Sequence, residues 1–356
     1  MEHRKARRAL ADVDEACRTA STPNALHRSV AMAVSSAVPF DRWCALTTDP
    51  KTALPTGGYH EEGLPFALMP RLLELEYGGQ ADAARLLDLA RADRPVAVLS
   101  AATGREPAHS ARYRDVLVPA GLPHELRVVY RSGDAPRGAL ILLRGTDVRD
   151  FTASEADLLK SMAERVADAL RRLLIAERQP QPPSGDGPGV LLLGLTARAV
   201  FVQSGTPSAR QCLAEIEDAT VDGVPFTVSS LARTAAGRPG PARCRLRMRS
   251  GRWLTLHAER ISASTVSLVM EPSSPADVAA LLSDAYRLTA REVEVVALAV
   301  RGYGNAEIAR ALWLSPYTIA DHLKNVFDKT GVRTRGELTS LLLFDHYLPR
   351  QEPSTG

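Results

Sequence analysis

Three helix-start signals crowd into the last seventy or so residues and restrict that stretch to a bundle of short helices. Thr289 stands three residues before Glu292, the arrangement in which a threonine hydroxyl and a glutamate carboxylate each satisfy a backbone N–H that a helix start leaves bare. Ser315 is followed by Pro316, and proline at the first helical position gives up only an N–H that has no partner there. Thr334 and Glu337 repeat the first pattern.

The spacing between these signals predicts four helices. The first places Val293, Val296, Ala297 and Val300 on one stripe and stops at Gly302 and Gly304. Asn305 is the expected cap of the second, with Ile308, Ala309 and Leu312 inward, and Trp313 and Leu314 form a tight turn. In the third, over 316–329, Ile319, Leu323, Val326 and Phe327 recur as a buried stripe, which turns Tyr317, Ala320, Asp321, Lys324 and Asp328 outward. The fourth carries Leu338, Leu341, Leu342 and Phe344, more apolar surface than so small a unit needs for itself, and the surplus is expected to serve dimerisation.

In order and spacing these residues resemble the LuxR-type (GerE-type) helix-turn-helix. The resemblance implies that the helix over 316–329 is the recognition helix, lying in the DNA major groove. By motif position it implies Ala320, Asp321 and Lys324 at base edges, and Ser315, Thr318, His322, Lys329, Arg333 and Arg335 at phosphates. Two positions depart from the family pattern. Trp313 stands in the turn where glycine is common, and Ala320 and Asp321 are not basic, so base reading falls to Lys324 and to Asp321 accepting from a cytosine amino group.

Composition fits a chain of this kind. It is 356 residues long, 45% hydrophobic, 24% charged and carries a net charge of only +3, so any basic footprint is local. Cys17, Cys44, Cys212 and Cys244 are scattered, without the spacing of a zinc site or a disulfide framework. The start, Arg4 to Arg8 included, reads as the wet face of a helix, and no apolar run spans a bilayer, so a cytoplasmic protein is expected. His60, His109, His124 and His257 each stand alone, and no cofactor or metal is expected. An enzyme is not expected either: no P-loop, nucleophile elbow or dinucleotide fingerprint is present, Gly57-Gly58 and Gly78-Gly79 read as turns, and Glu61-Glu62 lie side by side in a loop. Asp12 and Asp14 precede any strand, against a phosphorylated receiver.

The fold class expected is multidomain α+β. Residues 1–178 predict a helix pair, then strands near 43–48, 97–99, 122–130 and 138–144, then a long helix from Ser154. That layout resembles a GAF domain. The long helix bears Leu158, Leu159, Met162, Val166, Leu170 and Leu173, a stripe suited to sheet core or to a dimer seam. A Pro- and Gly-rich linker over 179–189 leads to residues 190–272, where two strands, a helix over 208–217 and three strands give a PAS-like order. The segment from Gly251 to His257 resembles its counterpart in actinobacterial LuxR-type regulators, and the Ala, Arg and Leu bias fits a high-GC source. The helix-turn-helix domain is expected over 276–348. Together these imply a transcriptional regulator that binds double-stranded promoter DNA as a homodimer, senses a small-molecule ligand or a partner through its N-terminal domains, and meets RNA polymerase. The alternative is a protein-interaction module in which DNA binding is secondary.

Overall fold

The computed structural model describes residues 2–61, 63–175 and 187–344. Most of the linker predicted at 179–189, Glu62, the side chains of His60 and Phe344, and the last four residues of the predicted 276–348 domain lie outside the described residues. The chain divides into two compact units.

The larger unit begins with the helix pair α1 (Glu2–Thr19) and α2 (Pro23–Ser35), followed by strands β1 (Arg42–Thr48) and β2 (Pro55–Glu61). Helix α3 (Met69–Tyr77), short helix α4 (Leu86–Leu89), β3 (Val96–Val98), short helix α5 (Leu99–Ala102), β4 (His124–Ser132), β5 (Ala135–Arg144) and α6 (Ala153–Ile175) follow. The five strands form an antiparallel sheet in the order β2-β1-β5-β4-β3. Because both faces are covered, β5 reads as a continuous apolar run in place of an alternating one. One face packs Trp43, Val128, Leu140 and Leu142 against Val13, Val30, Met162 and Val166 of the three long helices. The stripe on α6 is thus sheet core: Leu159, Met162, Val166 and Leu170 are buried, and Leu158 and Leu173 flank them.

The same unit continues with β6 (Gly189–Leu195), β7 (Val200–Gly205), α7 (Pro207–Glu215), the two-residue strands β8 (Thr220–Val221) and β9 (Val224–Pro225), α8 (Phe226–Gly237), β10 (Ala242–Arg247), β11 (Trp253–Ser262) and β12 (Thr265–Pro272). The second sheet runs β10-β11-β12-β6-β7. Its buried face joins the outer face of the first sheet in one core, in which Leu46, Val129 and Ile141 cluster with Leu191, Val228, Leu231, Leu256 and Leu268. A buried ion pair crosses this core. Arg245 on β10 meets Asp49, just after β1, at 2.6 Å and 2.9 Å, and Asp49 also accepts the Arg245 backbone N–H at 2.8 Å.

Several elements escaped the sequence reading, α3, β2 and α8 among them. Gly57-Gly58 sits within β2, opposite Thr47 and Leu46, so the turn expected there does not form, and Glu61, expected in a loop, is the last residue of that strand. The close approach is at Gly57, where a Cβ would lie 3.2 Å from Thr47 Oγ1 of β1; at Gly58 a Cβ would make ordinary contacts with Asp218 and Phe226. Helix α8 is buried along nearly its whole length, from Thr227 to Ala235, and because Thr227, Ser229, Ser230, Arg233 and Thr234 are buried with the apolar residues, no apolar stripe marks it in the sequence.

The smaller unit holds α9 (Pro275–Ala285), α10 (Ala290–Val300), α11 (Asn305–Leu312), α12 (Pro316–Thr330), α13 (Arg335–Thr339) and a final turn over Ser340–Phe344. Val278, Leu281, Leu282, Val296, Val326, Leu338 and Leu342 make its main core. Val295, Ala299, Ile308, Ala309, Ile319 and Leu323 make a second, beneath the helix-turn-helix. No helix among the described residues is long and apolar enough to cross a membrane.

Candidate nucleic-acid interface

Helix α10 starts as its sequence dictates. Thr289 Oγ1 accepts from the Glu292 N–H at 3.3 Å, and Glu292 Oε2 accepts from the Thr289 N–H at 2.7 Å. The buried stripe, however, is Glu292, Val295, Val296 and Ala299, and Ala297 is exposed. The expected stripe of Val293, Val296, Ala297 and Val300 is rotated because its first member is a carboxylate, which a hydrophobicity pattern assigns to solvent. Glu292 tolerates burial through the cap and through Lys329, whose Nζ lies 2.6 Å from Glu292 Oε2. Burial by itself would raise the Glu292 pKa, but the Lys329 ammonium and the Thr289 donors outweigh it and hold the carboxyl below its usual range.

Helix α11 is capped by Gly304, whose N–H is taken by Glu307 Oε2 at 2.7 Å; Asn305, the expected cap, is the first helical residue. Its side-chain oxygen accepts instead from Arg335 Nη2 at 2.5 Å, while Arg335 Nη1 donates to the Tyr303 carbonyl at 2.5 Å. The turn then passes through Trp313 in the left-handed region at φ 56°, ψ 44°. Its backbone N–H and that of Leu314 both reach the Ala309 carbonyl, a helix ending that glycine would make without strain. The Trp313 side chain is 92% exposed.

Ser315 caps α12, its Oγ accepting from the Thr318 N–H at 3.1 Å and lying 2.9 Å from Thr318 Oγ1. Pro316 follows as the first helical residue, and Gly331, at φ 75°, ends the helix. Ile319, Leu323 and Val326 are buried, each contributing about 1.5–3 kcal/mol to seating the helix. The opposite side presents Tyr317, 85% exposed, with Ala320, Asp321, Lys324 and Asn325 exposed beside it. The arrangement is a helix with a fixed inner stripe and an outward strip free to enter a groove, of the size that the major groove accepts.

The structure sorts the predicted site residues. Ala320, Asp321 and Lys324 share the open strip, with His322 half-buried at its edge and Ser315 and Thr318 at the helix start. The Arg333 side chain is exposed, and its backbone N–H goes to Glu337 Oε2 at 2.8 Å, so the second half of the expected Thr334–Glu337 box closes one residue early. Lys329 and Arg335, expected at phosphates, are instead tied into the unit, Lys329 to Glu292 and the Arg287 carbonyl and Arg335 to the start of α11. Leu338 and Leu342, expected as dimer contacts, are fully buried in the unit's own core, packed with Val278, Leu281 and Leu282 of α9 and Val296 of α10; Leu341 is half-buried. Of the histidines singled out by sequence, His109 pairs with Glu106, His124 with Asp150 and His257 with Glu271. No cluster able to hold a metal ion occurs among the described residues.

Comparison with known proteins bears on this unit. Residues 286–342 match the family described as "Bacterial regulatory proteins, luxR family" (GerE). Two Staphylococcus aureus proteins named "Oxygen regulatory protein NreC", from strains bovine RF122 / ET3-1 and MRSA252, are 37% identical over 81 residues, 22% of this chain and 37% of theirs. The chain therefore spans little more than a third of the length of these relatives. Among solved structures, the bacteriophytochrome RpBphP3 from R. palustris aligns over 75% of this chain and 62% of its own at 12% identity and a TM-score of 0.30. The phage VqmA-DPO complex aligns over 42% and 81% at 17% identity and a TM-score of 0.17. Neither likeness is close enough to define the larger unit. The capped helices, the turn and the family match agree: residues 286–342 are a GerE-type helix-turn-helix domain of the luxR family.

Proposed function

We propose that the chain is a transcriptional regulator that binds double-stranded promoter DNA as a homodimer through α12. Residues 1–178, as a GAF-like domain, and 190–272, as a PAS-like domain, serve as its input. The observation that carries this reading is the exposed strip Ala320, Asp321 and Lys324 on a helix whose inner face is locked by Ile319, Leu323 and Val326. Lys324 reads a guanine edge or a neighbouring phosphate, and Asp321 accepts from a cytosine amino group. In this reading Ser315, Thr318, His322 and Arg333 contact phosphates. Two-fold pairing of the domain then requires half-sites about 10 base pairs, roughly 34 Å, apart. Such work is done in the cytoplasm, where the DNA is.

A ligand reaches the DNA-binding unit only if it binds one arrangement of the dimer better than another, and the N-terminal domains are the part of the chain large enough to hold one. The test is selection of duplexes from a random library by the full chain. Recovery of a two-fold motif with the stated spacing supports the reading, and recovery of no motif at low salt removes it.

A further inference from the structure

Four basic residues from four separate elements of the larger unit line one open cleft of about 270 Å³. Lys51 comes from the loop after β1, Arg91 from the chain just past α4, Arg238 from the end of α8 and Arg243 from β10. Thr52 and Thr234 add hydroxyls, and among the described residues no Asp, Glu or aromatic ring lines the cleft. Its size falls just under the roughly 300 Å³ at which sites for larger organic ligands begin. A small anion suits it better than a flat apolar molecule.

The walls are held from beneath. Asp49 Oδ1 accepts the Lys51 N–H at 2.8 Å and Arg245 Nη2 at 2.6 Å, so one buried carboxylate fixes both the loop carrying Lys51 and the strand carrying Arg243. The Asp49 charge is matched by Arg245, which is not part of the wall. On the other side Gly237 packs so closely on Gly78 that a Cβ would lie 2.1 Å from the Gly78 carbonyl oxygen, which sets where α8 ends. Arg238 then runs extended, at φ −133° and ψ 151°, the conformation favoured before a proline, and Pro239 and Pro241 stiffen the loop.

The basic heads, by contrast, are not tied down. Among the described residues neither the Lys51 ammonium nor the Arg238 guanidinium has a hydrogen-bond or ion-pair partner, and Arg91 gives only Nη1, to the Leu87 carbonyl at 3.3 Å. They can therefore turn onto whatever enters. A cleft lined by one sign of charge concentrates the opposite ion. The last carbonyls of α8 bring about half a negative charge, which four cations outweigh. Arginine takes phosphate oxygens through paired N–H donors and lysine as a point charge, so this set serves more than one phosphate group at once.

We infer that this cleft binds a small molecule carrying two or more phosphate groups, gripped by Lys51, Arg91, Arg238 and Arg243. The inference deepens the reading of the N-terminal domains as the input, and it rests on that reading for any effect on DNA binding.

Inorganic pyrophosphate is the probe, with orthophosphate and sulfate as controls carrying a single group. It is titrated calorimetrically into the full chain, without divalent cations, at about 0.15 M salt, where exposed charges are screened beyond about 8 Å. Pyrophosphate should bind saturably with a Kd on the order of 1 mM or tighter. Orthophosphate and sulfate should bind at least several-fold more weakly. Lys51→Ala and Arg238→Ala should each weaken pyrophosphate several-fold and together abolish its binding, while Arg238→Lys keeps part of it. If Arg238→Ala does not fold, Arg243→Ala replaces it in the same test. Lys160→Ala, which removes an exposed cation on α6 outside the cleft, should change nothing. No saturable binding, equal affinity for orthophosphate, or undiminished binding by the folded double variant overturns the inference. An equal loss with Lys160→Ala overturns it too, leaving a solvated cationic surface only. If the selected duplex displaces pyrophosphate and the double variant loses affinity for that duplex, the cleft is a DNA-backbone contact and the inference again fails. Pyrophosphate binding that the double variant abolishes, with affinity for the selected duplex the same in its presence and absence, upholds the cleft and refutes the input reading alone.

Discussion

Lys329 Nζ and Glu292 Oε2 lie 2.6 Å apart, joining the last turn of α12 to the first turn of α10. The lysine is one-third exposed and the carboxylate is buried, so the pair is less an exposed ornament than the counter-charge that lets Glu292 sit in the bundle. Removing the lysine orphans the carboxylate. Lys329→Ala is expected to destabilise the smaller unit by about 1–3 kcal/mol in thermal or urea unfolding, with the salt dependence of DNA binding unchanged. Arg333→Ala should do the reverse, leaving stability alone and lowering the slope of log K against log salt by about one. A salt slope that falls with Lys329→Ala would return that residue to the phosphates.

The same pair sets an acid limit. Because the Glu292 pKa is depressed in the folded chain, its contribution is complete above the ordinary carboxylate value and is lost as pH falls through the folded one. Stability of the smaller unit should therefore decline below about pH 4.5, and Glu292→Gln should flatten that decline while lowering stability at neutral pH.

His27 on α2 gives the larger unit a second, higher window. Its ring is stacked near Tyr130, both nitrogens lack hydrogen-bond partners among the described residues, and burial lowers its pKa from 6.5 to about 4. As pH falls the unfolded chain takes up this proton first, so stability should drop between pH 6.5 and about 4 by up to about 1.4 kcal/mol per unit. His27→Phe should remove that slope in a melting series. A slope that persists unchanged assigns it elsewhere.

Arg245 and Asp49 tie the two sheets, and their burial makes the tie sensitive. Asp49→Ala leaves a guanidinium uncompensated and should cost about 3–5 kcal/mol, read as a lowered unfolding midpoint of the larger unit. Loss of less than about 1 kcal/mol would mean that water reaches Arg245 once its partner is gone.

Trp313 offers a test in the opposite direction. A tryptophan held at φ 56° with almost all of its side chain in solvent is strained without visible packing return, so Trp313→Gly should stabilise the smaller unit by about 0.5–1 kcal/mol. Weakened DNA binding by that variant with unchanged preference would show that the indole itself touches the duplex.

The sequence was most legible where a local rule decides the structure. Thr289 with Glu292, Ser315 with Pro316, and the stripe Ile319, Leu323 and Val326 depend on residues a few positions apart, and each forms as spaced. The fold escaped reading where distant partners decide. Glu292 is buried because of Lys329, and this rotates the stripe of α10 away from its apparent position. Gly57-Gly58 reads as a turn although both residues pair with β1 inside β2, and α8 hides because its polar residues Thr227, Ser229, Ser230, Arg233 and Thr234 are buried along with its apolar ones. Leu338 and Leu342 looked surplus only because α9, lying before the motif, was not counted in the same core. Of the candidate site, the outward strip was readable from helical period alone, whereas the internal ties of Lys329 and Arg335 were not, since a basic side chain on or near α12 carries no mark of which way it turns.

Whether Lys324 and its neighbours on α12 read base edges is tested most directly by the base preference of the full chain before and after Lys324→Ala, by selection from a random duplex library and competition binding. Lys324→Ala is expected to relax the motif's preference by about 1–3 kcal/mol at one position per half-site, with the remaining positions unchanged. An identical motif for both proteins, or uniform weakening across all sequences, would contradict it.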